Sequence, residues 1–374
     1  MDKEKLQKFN GLAVSSKFAI CGLPIRLDSY KTCAFGCAYC FSNNRKIMEF
    51  EKTLQIANIK TIENRLERVF GDGNVSKEDF LDTLISNGIT WHCGGMSDPF
   101  QPVEGELGVT KDIVDLTNKY GISILFSTKS DKLYDVNVRP DLHSFQLSVS
   151  NVSDRKDIEP NIPTIEDRVK LFNDLKREGF KVGIRIQPFI PNVSGIDILE
   201  TFKTADHFTI EGLKLVPQNK EHKEFLIETL GLDKDNFTQR GLLTLKPLIR
   251  LEMYRPLLKY LEKNKLSYSI SDNDMRAYGN NRCCCGDALV KKTTLFDTTA
   301  MIMDKGVSYT LDDVMERVKE SSCENCVCKS LFTSNRTNGC STVKEFYEER
   351  FEKKSSPFSP KFQVDWHKEI GMNK

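Results

Sequence analysis

The sequence predicts an α/β fold in which parallel strands and helices surround a polar centre. Strand-like and helix-like segments alternate with short connections between about residues 85 and 216, and repeated βα units of this kind build parallel sheets. Two of the strands alternate polar with apolar side chains, which gives the predicted sheet a polar inner face. A compact run of cysteines near the start of the chain indicates that the fold also carries a metal or a cofactor.

Length, charge and hydropathy narrow the class of protein. The chain has 374 residues, 39% of them hydrophobic, and a net charge of +1. This length suits one barrel with an extension, or two to three domains, and the charge gives no overall attraction to nucleic acid or to an anionic membrane. Because the chain has no run of about 18 apolar residues and no signal-peptide core at its N-terminus, we expect a cytoplasmic protein that does not enter membranes.

The individual elements follow from local patterns along the chain. Thr164 begins a predicted helix, Asp167 follows three residues later as in a capping box, and Gly179 ends the helix. Pro188 ends the next strand, because proline cannot donate to a strand ladder. The predicted strands are 89–93, 122–127, 145–150, 181–187, 207–211 and 266–271, and the predicted helices are 110–120, 164–179 and 195–205.

Alternation along two strands predicts which side chains face the barrel lumen. In the strand at residues 181–187 the apolar side chains face the covering helices, so Arg185 and Gln187 face the lumen. By the same alternation Ser148 and Ser150 of the preceding strand point inward. A barrel filled only for stability would carry branched apolar residues at these positions. The polar lumen therefore predicts a bound ligand.

Cys33, Cys37 and Cys40 form the most compact group of cysteines, with C-x3-C-x2-C spacing and Tyr39 just before the last. Three thiolates fill three corners of a four-iron cluster and leave one iron open for a small molecule. A structural zinc takes a fourth protein ligand nearby. The spacing therefore favours a [4Fe–4S] cluster; the alternatives are a zinc knuckle or three unrelated buried thiols.

This cysteine run resembles the signature of the radical S-adenosylmethionine (radical SAM) superfamily. The resemblance implies a partial (β/α)6 barrel with the cluster loop after its first strand. It also implies that the open iron binds S-adenosylmethionine (SAM), and that a reductant such as flavodoxin or ferredoxin drives its cleavage to a 5′-deoxyadenosyl radical. The radical would abstract hydrogen from a substrate that the sequence does not identify, whether a small molecule, a nucleic acid or a peptide.

Further motifs are similar to the spore photoproduct lyase-like branch of this superfamily, over about residues 18–216. Residues 95–104 resemble the S-D-P-Y-Q-P-x-E segment of that branch, and residues 127–130 resemble its T-K-S strand end. The resemblance implies that Lys129 and Ser148 contact SAM.

The loop at residues 93–104 follows a predicted strand and lies at the rim where such folds bind ligands. Gly94 and Gly95 allow the backbone to approach a ligand closely, although a loop that merely turns the chain would look the same. We infer that Arg185 pairs with the SAM carboxylate or a substrate phosphate; the alternative is an ion pair with Glu211. The candidate cofactor-binding residues are Tyr39, Gly94, Gly95, Ser97, Asp98, Lys129, Ser148, Ser150 and Arg185.

The chain departs from the lyases of this branch at two positions. They carry a Tyr after the third cluster cysteine, where this chain has Phe41, and a hydrogen-donating Cys where it has Gly95. We therefore expect a radical enzyme with a different reaction. Cys93 is the candidate catalytic residue, a thiol that could quench a radical, although a buried thiol at a strand end is more often part of the core.

A second group of cysteines lies in the last quarter of the chain. In a reducing compartment, clustered cysteines indicate metal binding, and their C-x2-C spacing suits iron–sulfur clusters and zinc alike. We expect one of the first three to join the later ones and hold a second iron–sulfur cluster or a zinc ion, in a small domain capping the barrel mouth. The members are Cys283, Cys284, Cys285, Cys323, Cys326, Cys328 and Cys340.

These patterns predict three regions: a radical SAM partial barrel at residues 1–216, a helical segment packing on it at 217–282, and a cysteine-rich metal-binding extension at 283–374. Two other function classes stay open. One is a non-catalytic protein that binds zinc or an iron–sulfur cluster, including nucleic-acid-associated proteins of that kind. The other is a relative that uses its cluster only for electron transfer. A brown colour after anaerobic purification would separate an iron–sulfur protein from a colourless zinc protein.

Overall fold

The computed structural model describes residues 2–42, 53–71, 75–76, 78–217, 219–240, 242–322, 324–326, 340–354 and 356–363. Its strands are β1 (Gln7–Phe9), β2 (Leu12–Val14), β3 (Ile25–Leu27), β4 (Gln55–Ala57), β5 (Trp91–Cys93), β6 (Ile124–Thr128), β7 (His143–Ser148), β8 (Lys181–Phe189), β9 (His207–Gly212), β10 (Lys214–Leu215), β11 (Phe237–Arg240), β12 (Leu242–Leu245) and β13 (Tyr268–Ile270). Its α-helices are α1 (Ile59–Phe70), α2 (Phe80–Ser86), α3 (Glu104–Leu107), α4 (Val109–Lys119), α5 (Ile165–Arg177), α6 (Ile196–Thr201), α7 (Lys220–Thr229), α8 (Pro247–Lys263), α9 (Thr298–Lys305), α10 (Leu311–Ser321) and α11 (Val343–Arg350). None of these helices is long and apolar enough to span a membrane.

A central sheet of eight strands organises the described part of the chain, in the order β13-β9-β8-β7-β6-β5-β3-β2. From β3 to β13 all neighbouring strands are parallel, and β2 pairs antiparallel with β3 at one edge. The α/β fold and the largely parallel sheet predicted from the sequence are therefore confirmed. Strands β3, β5, β6, β7, β8 and β9 match the six expected for a partial barrel, and β13 adds a seventh.

Local sequence patterns account for most of these elements. The five predicted strands between residues 89 and 211 correspond to β5 through β9. In α5 the Thr164 side chain accepts a hydrogen bond from the Asp167 backbone N–H, as the capping pattern predicted. The helix predicted at 195–205 ends earlier, at Thr201, because the chain turns there to enter β9, with the Ala205 N–H bonded to the Phe202 carbonyl.

The segment predicted to be helical also contributes strands. Strands β11 and β12 form an antiparallel pair, and Pro247 then begins α8, where its missing N–H leaves no helical bond unmade. Strand β13 pairs in parallel with β9. Tyr268 and Ile270 of β13 are buried in the main hydrophobic core, so this short strand belongs to the central sheet. Strand β13 lies within the strand predicted at 266–271, whereas β11 and β12, of four residues each, are too short for periodicity to separate them from flanking helices.

The outer face of the sheet packs against helices in one main core. Trp91, Phe126 and Phe145 have no exposed surface there, and the rings of Phe126 and Phe145 stack with centroids 5.6 Å apart. Truncating a buried aromatic side chain to alanine costs about 3–5 kcal/mol. This layer therefore fixes the sheet whose carboxyl edge carries the candidate site.

The segment at residues 283–292 closes the lumen at the amino-terminal end of the strands, which is opposite the cysteine loop. Side chains of the lumen donate hydrogen bonds to its backbone carbonyls: Ser269 to Cys283 at 3.1 Å, Thr209 to Cys284 at 2.9 Å and Gln146 to Cys285 at 3.1 Å. Further along, the N–H groups of Lys291 and Lys292 donate to the Thr90 hydroxyl. The expectation that this part of the extension caps the barrel mouth is therefore wrong, because lumen side chains bind its backbone at the end opposite the cysteine loop.

Candidate functional site

The cysteine loop follows β3 and lies at the carboxyl edge of the parallel sheet. Cys37 is 8% exposed and belongs to a small apolar cluster distinct from the main core. Cys33 and Cys40 pack against that same cluster and stay partly exposed. The Cys40 N–H donates to the Cys37 carbonyl at 3.0 Å. The structure thus brings the three cysteines together as the spacing predicted.

Gln101 holds the cysteine loop from the side of β5. Its Oε1 accepts a hydrogen bond from the Ala34 N–H at 2.7 Å, and its Nε2 donates to the Thr32 carbonyl at 2.9 Å. From the side of β7, the Ile158 carbonyl accepts from the Ala38 N–H at 2.8 Å. Gln101 stands inside the motif quoted from the sequence, yet its role was missed, because only the fold brings it to a loop 67 residues earlier.

We predict that Gln101→Leu loosens the cysteine loop. The substitution removes two hydrogen bonds, each contributing about 0.5–1.5 kcal/mol. Once the protein has been loaded with iron, a chelator should remove iron faster from the variant than from the wild type. Gln7→Leu, which alters an exposed glutamine on β1, is the matched control. Equal rates of iron loss from all three proteins would contradict this role.

Lys129 is the centre of a polar network beside the cysteine loop. Its Nζ lies 2.8 Å from Oε1 of Glu159, 3.4 Å from the Ser150 hydroxyl and 3.4 Å from the Ser148 carbonyl. The same Nζ lies 5.5 Å from the centre of the Tyr39 ring, and the Tyr39 hydroxyl donates to Glu159. Four predicted cofactor-binding residues, Tyr39, Lys129, Ser148 and Ser150, therefore meet at the Lys129–Glu159 pair, and Glu159 was not predicted as a site residue.

Opposite charges in this network favour the ionised form of each other. Glu159 is buried, which by itself raises the pKa of its carboxyl, but Lys129 and Arg168 outweigh burial and leave that pKa below its usual value. Asn151 donates to the second carboxylate oxygen at 2.8 Å. Burial raises the pKa of the Cys37 thiol to about 12, and the nearby Lys129 ammonium opposes that shift. A fixed positive charge thus faces the loop that would carry thiolates.

Ser97 and Asp98 fasten loops to one another. The Asp98 carboxylate accepts hydrogen bonds from the Thr128 hydroxyl and the Lys129 N–H, both at 2.7 Å. Burial raises the pKa of Asp98 to about 6. The Ser97 hydroxyl donates to the Tyr30 carbonyl at 2.5 Å. Both residues therefore position the end of β6 and the start of the cysteine loop.

The backbone conformation and packing require glycine at Gly94 but not at Gly95. Gly94 has a φ of +98°, and a Cβ there would lie 2.2 Å from the Ser127 carbonyl oxygen. Only glycine fits that position. A Cβ at Gly95 would make ordinary contact with the Arg26 side chain at 3.6 Å. The Gly94 requirement thus comes from close packing of β5 on β6.

Cys93 lies on the outer face of β5. On the same strand, His92 faces the lumen, where its Nε2 lies 2.8 Å from the Ser127 hydroxyl. Cys93 has no exposed surface and belongs to the main core beneath the helices, and burial holds the pKa of its thiol well above the usual value. The thiol does not face the lumen, so the function proposed below gives it no chemical role.

Arg185 faces the lumen as the alternation predicted. Its Nη1 donates to Oε1 of Gln146 at 3.2 Å. Glu211, the alternative partner considered for Arg185, forms its ion pair with Lys214. Within the residues that the structure describes, the Arg185–Glu211 ion pair is not formed.

The described cysteines of the C-terminal group lie in separate places. Residues 283–285 pack inside the lumen in an apolar cluster of their own. Cys326 lies in the main core, with its sulfur 3.6 Å from the Thr83 hydroxyl. The Cys340 thiol donates to the Glu349 carboxylate at 2.9 Å. Cys283, Cys284 and Cys285 therefore do not form a single metal-binding group with Cys326 or Cys340.

Cys323 and Cys328 lie outside the described residues. Among the residues that are described, no three His, Cys, Asp or Glu side chains are placed to hold a single metal ion. A [4Fe–4S] cluster makes a different demand, because each cysteine binds a different iron of the cube and the thiolates surround it. Cys33, Cys37 and Cys40 supply three thiols from one loop beside a lysine, and this donor set fits such a cluster.

Comparisons with known proteins give one distant sequence relative and solved structures that share the fold. No family model matches the chain. An uncharacterized protein of Methanocaldococcus jannaschii is 26% identical over 211 residues, which cover 54% of this chain and 74% of that protein. That relative carries no described activity, so it adds sequence likeness without a function.

Two solved structures of mutant spore photoproduct lyases share the fold. One, with bound AdoMet and dinucleoside spore photoproduct, is 14% identical, covers 70% of this chain and 81% of its own, and has a TM-score of 0.51. The other is 14% identical, covers 71% and 80%, and has a TM-score of 0.54. The predicted resemblance to the radical SAM superfamily is therefore confirmed at the level of the fold.

Proposed function

We propose that this chain, which has the fold of the radical SAM spore photoproduct lyases, is itself a radical SAM enzyme that abstracts hydrogen from its substrate. One observation carries the proposal: the three-cysteine loop and the Lys129–Glu159 pair meet at the carboxyl edge of the parallel sheet. Carboxyl edges are where parallel α/β barrels place their active sites. The substrate would be a small molecule, a nucleic acid or a peptide, and the site of action the cytoplasm.

Cys33, Cys37 and Cys40 would hold the cluster and leave one iron open for SAM. When bound and reduced, a [4Fe–4S] cluster supplies the electron that splits SAM into methionine and a 5′-deoxyadenosyl radical. A protein such as flavodoxin or ferredoxin would deliver that electron. The cofactor carries this chemistry, and the chain binds, orients and shields the reactants.

Lys129 is the residue we assign to the SAM carboxylate. Its ammonium has three donors, of which one is committed to Glu159 at 2.8 Å while the two contacts at 3.4 Å, to Ser148 and Ser150, are long. Those two donors can turn to a carboxylate while Glu159 keeps the amine charged and in place. Asp98 fixes the backbone of Lys129. We assign Ser148 and Ser150 to the same pocket.

We predict that Lys129→Ala weakens SAM binding by about 1.5–3 kcal/mol, the range for a hydrogen bond to a charged group. Lys132→Ala is the matched control, because Lys132 is exposed three residues further along the chain. Calorimetry on the anaerobically reconstituted protein measures both. An unchanged SAM affinity in Lys129→Ala would remove the main contact of the proposed site.

The closed end of the lumen suits radical chemistry. Gln146 and Thr209, which bind residues 283–292, have no exposed surface. Residues 283–292 therefore cover these lumen side chains at the amino-terminal end of the strands. A radical formed at the opposite edge would meet the substrate and the lumen wall before it met water or oxygen.

We expect a reaction other than repair of the spore photoproduct. Phe41 has no hydroxyl to relay hydrogen, and Gly95 has no thiol to donate it. The Cys93 thiol does not replace it, because it faces the helices. Incubation of the reconstituted protein with DNA containing the photoproduct, SAM and dithionite should release no repaired thymidine. Efficient repair in that assay would contradict this expectation.

For the second metal site, we propose the later cysteines without residues 283–285. The Val343 N–H donates to the Cys326 carbonyl at 3.3 Å, which places the segments carrying Cys326 and Cys340 side by side. Cys323 and Cys328 complete a candidate set of four thiols. Such a set suits either a cluster or a structural zinc.

A further inference from the structure

Three cations gather around Glu211 near the carboxyl ends of β8 and β9. Arg185 extends from β8 and bonds only the neutral Gln146 among the described residues. Lys214 pairs with Glu211, whose carboxylate also has Arg185 and Lys17 close enough to lower its pKa. Neither Arg185 nor Lys17 lies within ion-pairing distance of a carboxylate in the described part of the chain. The Glu211 carboxylate is thus the shared counter-charge of Lys214, Lys17 and Arg185.

Lys17 reaches this place because its loop crosses the open side of the barrel. The loop joins β2 to β3, and Cys21 in it packs against the lumen cluster of residues 283–285. Lys17 remains exposed to solvent there. The nearby Lys214 ammonium lowers the pKa of Lys17, as expected for two like charges held close together. An anion bound between Lys17 and Lys214 would relieve the repulsion between these two like charges.

The side-chain oxygen of Gln187 adds a hydrogen-bond acceptor beside these cations. It lies two residues beyond Arg185 on β8 and therefore on the same face. Its Oε1 is buried and has no hydrogen-bond partner among the residues that the structure describes. Buried acceptors are nearly always paired. A hydroxyl or N–H group on a ligand held by Arg185 would supply the missing donor.

We propose that Lys17, Arg185 and Lys214 bind the terminal phosphate of a small-molecule substrate, with Gln187 accepting a hydrogen bond from the same molecule. This inference rests on the proposed function, because it names the substrate class of that site. A terminal phosphate carries up to two negative charges and three oxygens for three cations, whereas the single charge of the SAM carboxylate is served by Lys129. Because residues 283–292 close the amino-terminal end of the lumen, the site favours a terminal group, since a phosphodiester would have to continue on both sides of the phosphate.

The test uses inorganic phosphate as the probe and the intact, reconstituted protein in buffer without other oxyanions. Calorimetry should detect phosphate binding to the wild type. Lys17→Gln and Arg185→Gln should each weaken it by at least about tenfold, the loss of one charge-assisted contact. Lys203→Gln is the control, because Lys203 is exposed between α6 and β9. Adenosine 5′-monophosphate should compete with phosphate.

The outcomes separate this inference from the proposed function. Absence of phosphate binding, or equal affinity in all four proteins, would overturn the phosphate site. Competition by a short DNA strand without terminal phosphates would overturn the choice of a terminal group. Formation of 5′-deoxyadenosine by the wild type, assayed without phosphate, tests the proposed function on its own. If the protein bound phosphate but did not cleave SAM, the phosphate site would be supported and the proposed radical SAM activity would be refuted.

Discussion

A chain in which Cys33, Cys37 and Cys40 are all replaced by alanine is expected to bind no cluster at these positions and to cleave no SAM. Each thiolate holds one iron of the cube, so removing all three leaves the cluster without protein ligands. The barrel should stay folded, because these residues belong to a small apolar cluster distinct from the main core. Iron content, circular dichroism and 5′-deoxyadenosine formation with dithionite measure the three effects.

Cys93→Ala is the matched control for this triple variant. Cys93 is a buried thiol at the end of the neighbouring strand, but it faces the helices. The control should keep its iron and its SAM cleavage, with some loss of stability from the cavity. Continued formation of 5′-deoxyadenosine by the triple variant would show that the cluster lies elsewhere.

Metal analysis of the wild type also tests whether the later cysteines bind a second metal. About eight irons per chain would mean two cubane clusters, and about four irons with one zinc would mean a structural zinc. About four irons without zinc would show that the later cysteines hold no metal. Alanine variants of Cys326 and Cys340 should lower only the second metal.

Arg250→Met is expected to destabilise the fold by about 3–5 kcal/mol, the cost of leaving buried charges unpaired. Arg250 of α8 is 3% exposed, and its guanidinium bonds Asp272 at 2.9 Å and Asp274 at 2.6 Å. Asp272 in turn accepts from the Gly212 N–H at the end of β9 and from the Tyr254 hydroxyl. The substitution would leave two buried carboxylates facing one another just after β13.

Denaturant unfolding measures this loss. Arg255→Met is the control, because Arg255 is exposed on the same helix and should change stability by no more than about 0.5 kcal/mol. A loss below about 1 kcal/mol for Arg250→Met would show that this ion cluster does not hold α8 to the sheet.

Local patterns were sufficient for the central βα units and for the cysteine loop. The alternation in β8 placed Arg185 on the lumen face, where it bonds Gln146 of β7, and Ser148 follows Gln146 by two residues on the same face. The same alternation applied to β5 places Cys93 beside Trp91 on the outer face. The hypothesis that Cys93 is catalytic rested on its position beside the loop at residues 93–104. It did not take account of the alternation along β5, which places Cys93 on the outer face.

The remaining features depend on contacts between distant parts of the chain. Glu159 joins Lys129 across 30 residues, and Gln101 joins Ala34 across 67. The placement of residues 283–292 beneath the lumen depends on hydroxyl and amide groups from three different strands. Composition and periodicity carry no information about such pairings, so the sequence indicated metal ligands where the structure has a closed barrel end.

The central claim is that this chain cleaves SAM reductively, and one assay tests it most directly. Anaerobically reconstituted wild-type protein is incubated with SAM and dithionite, and the products are separated by chromatography. We predict a brown protein that forms 5′-deoxyadenosine and methionine in equal amounts. A colourless protein that binds zinc through Cys33, Cys37 and Cys40, or an iron-loaded protein that leaves SAM intact, would contradict it.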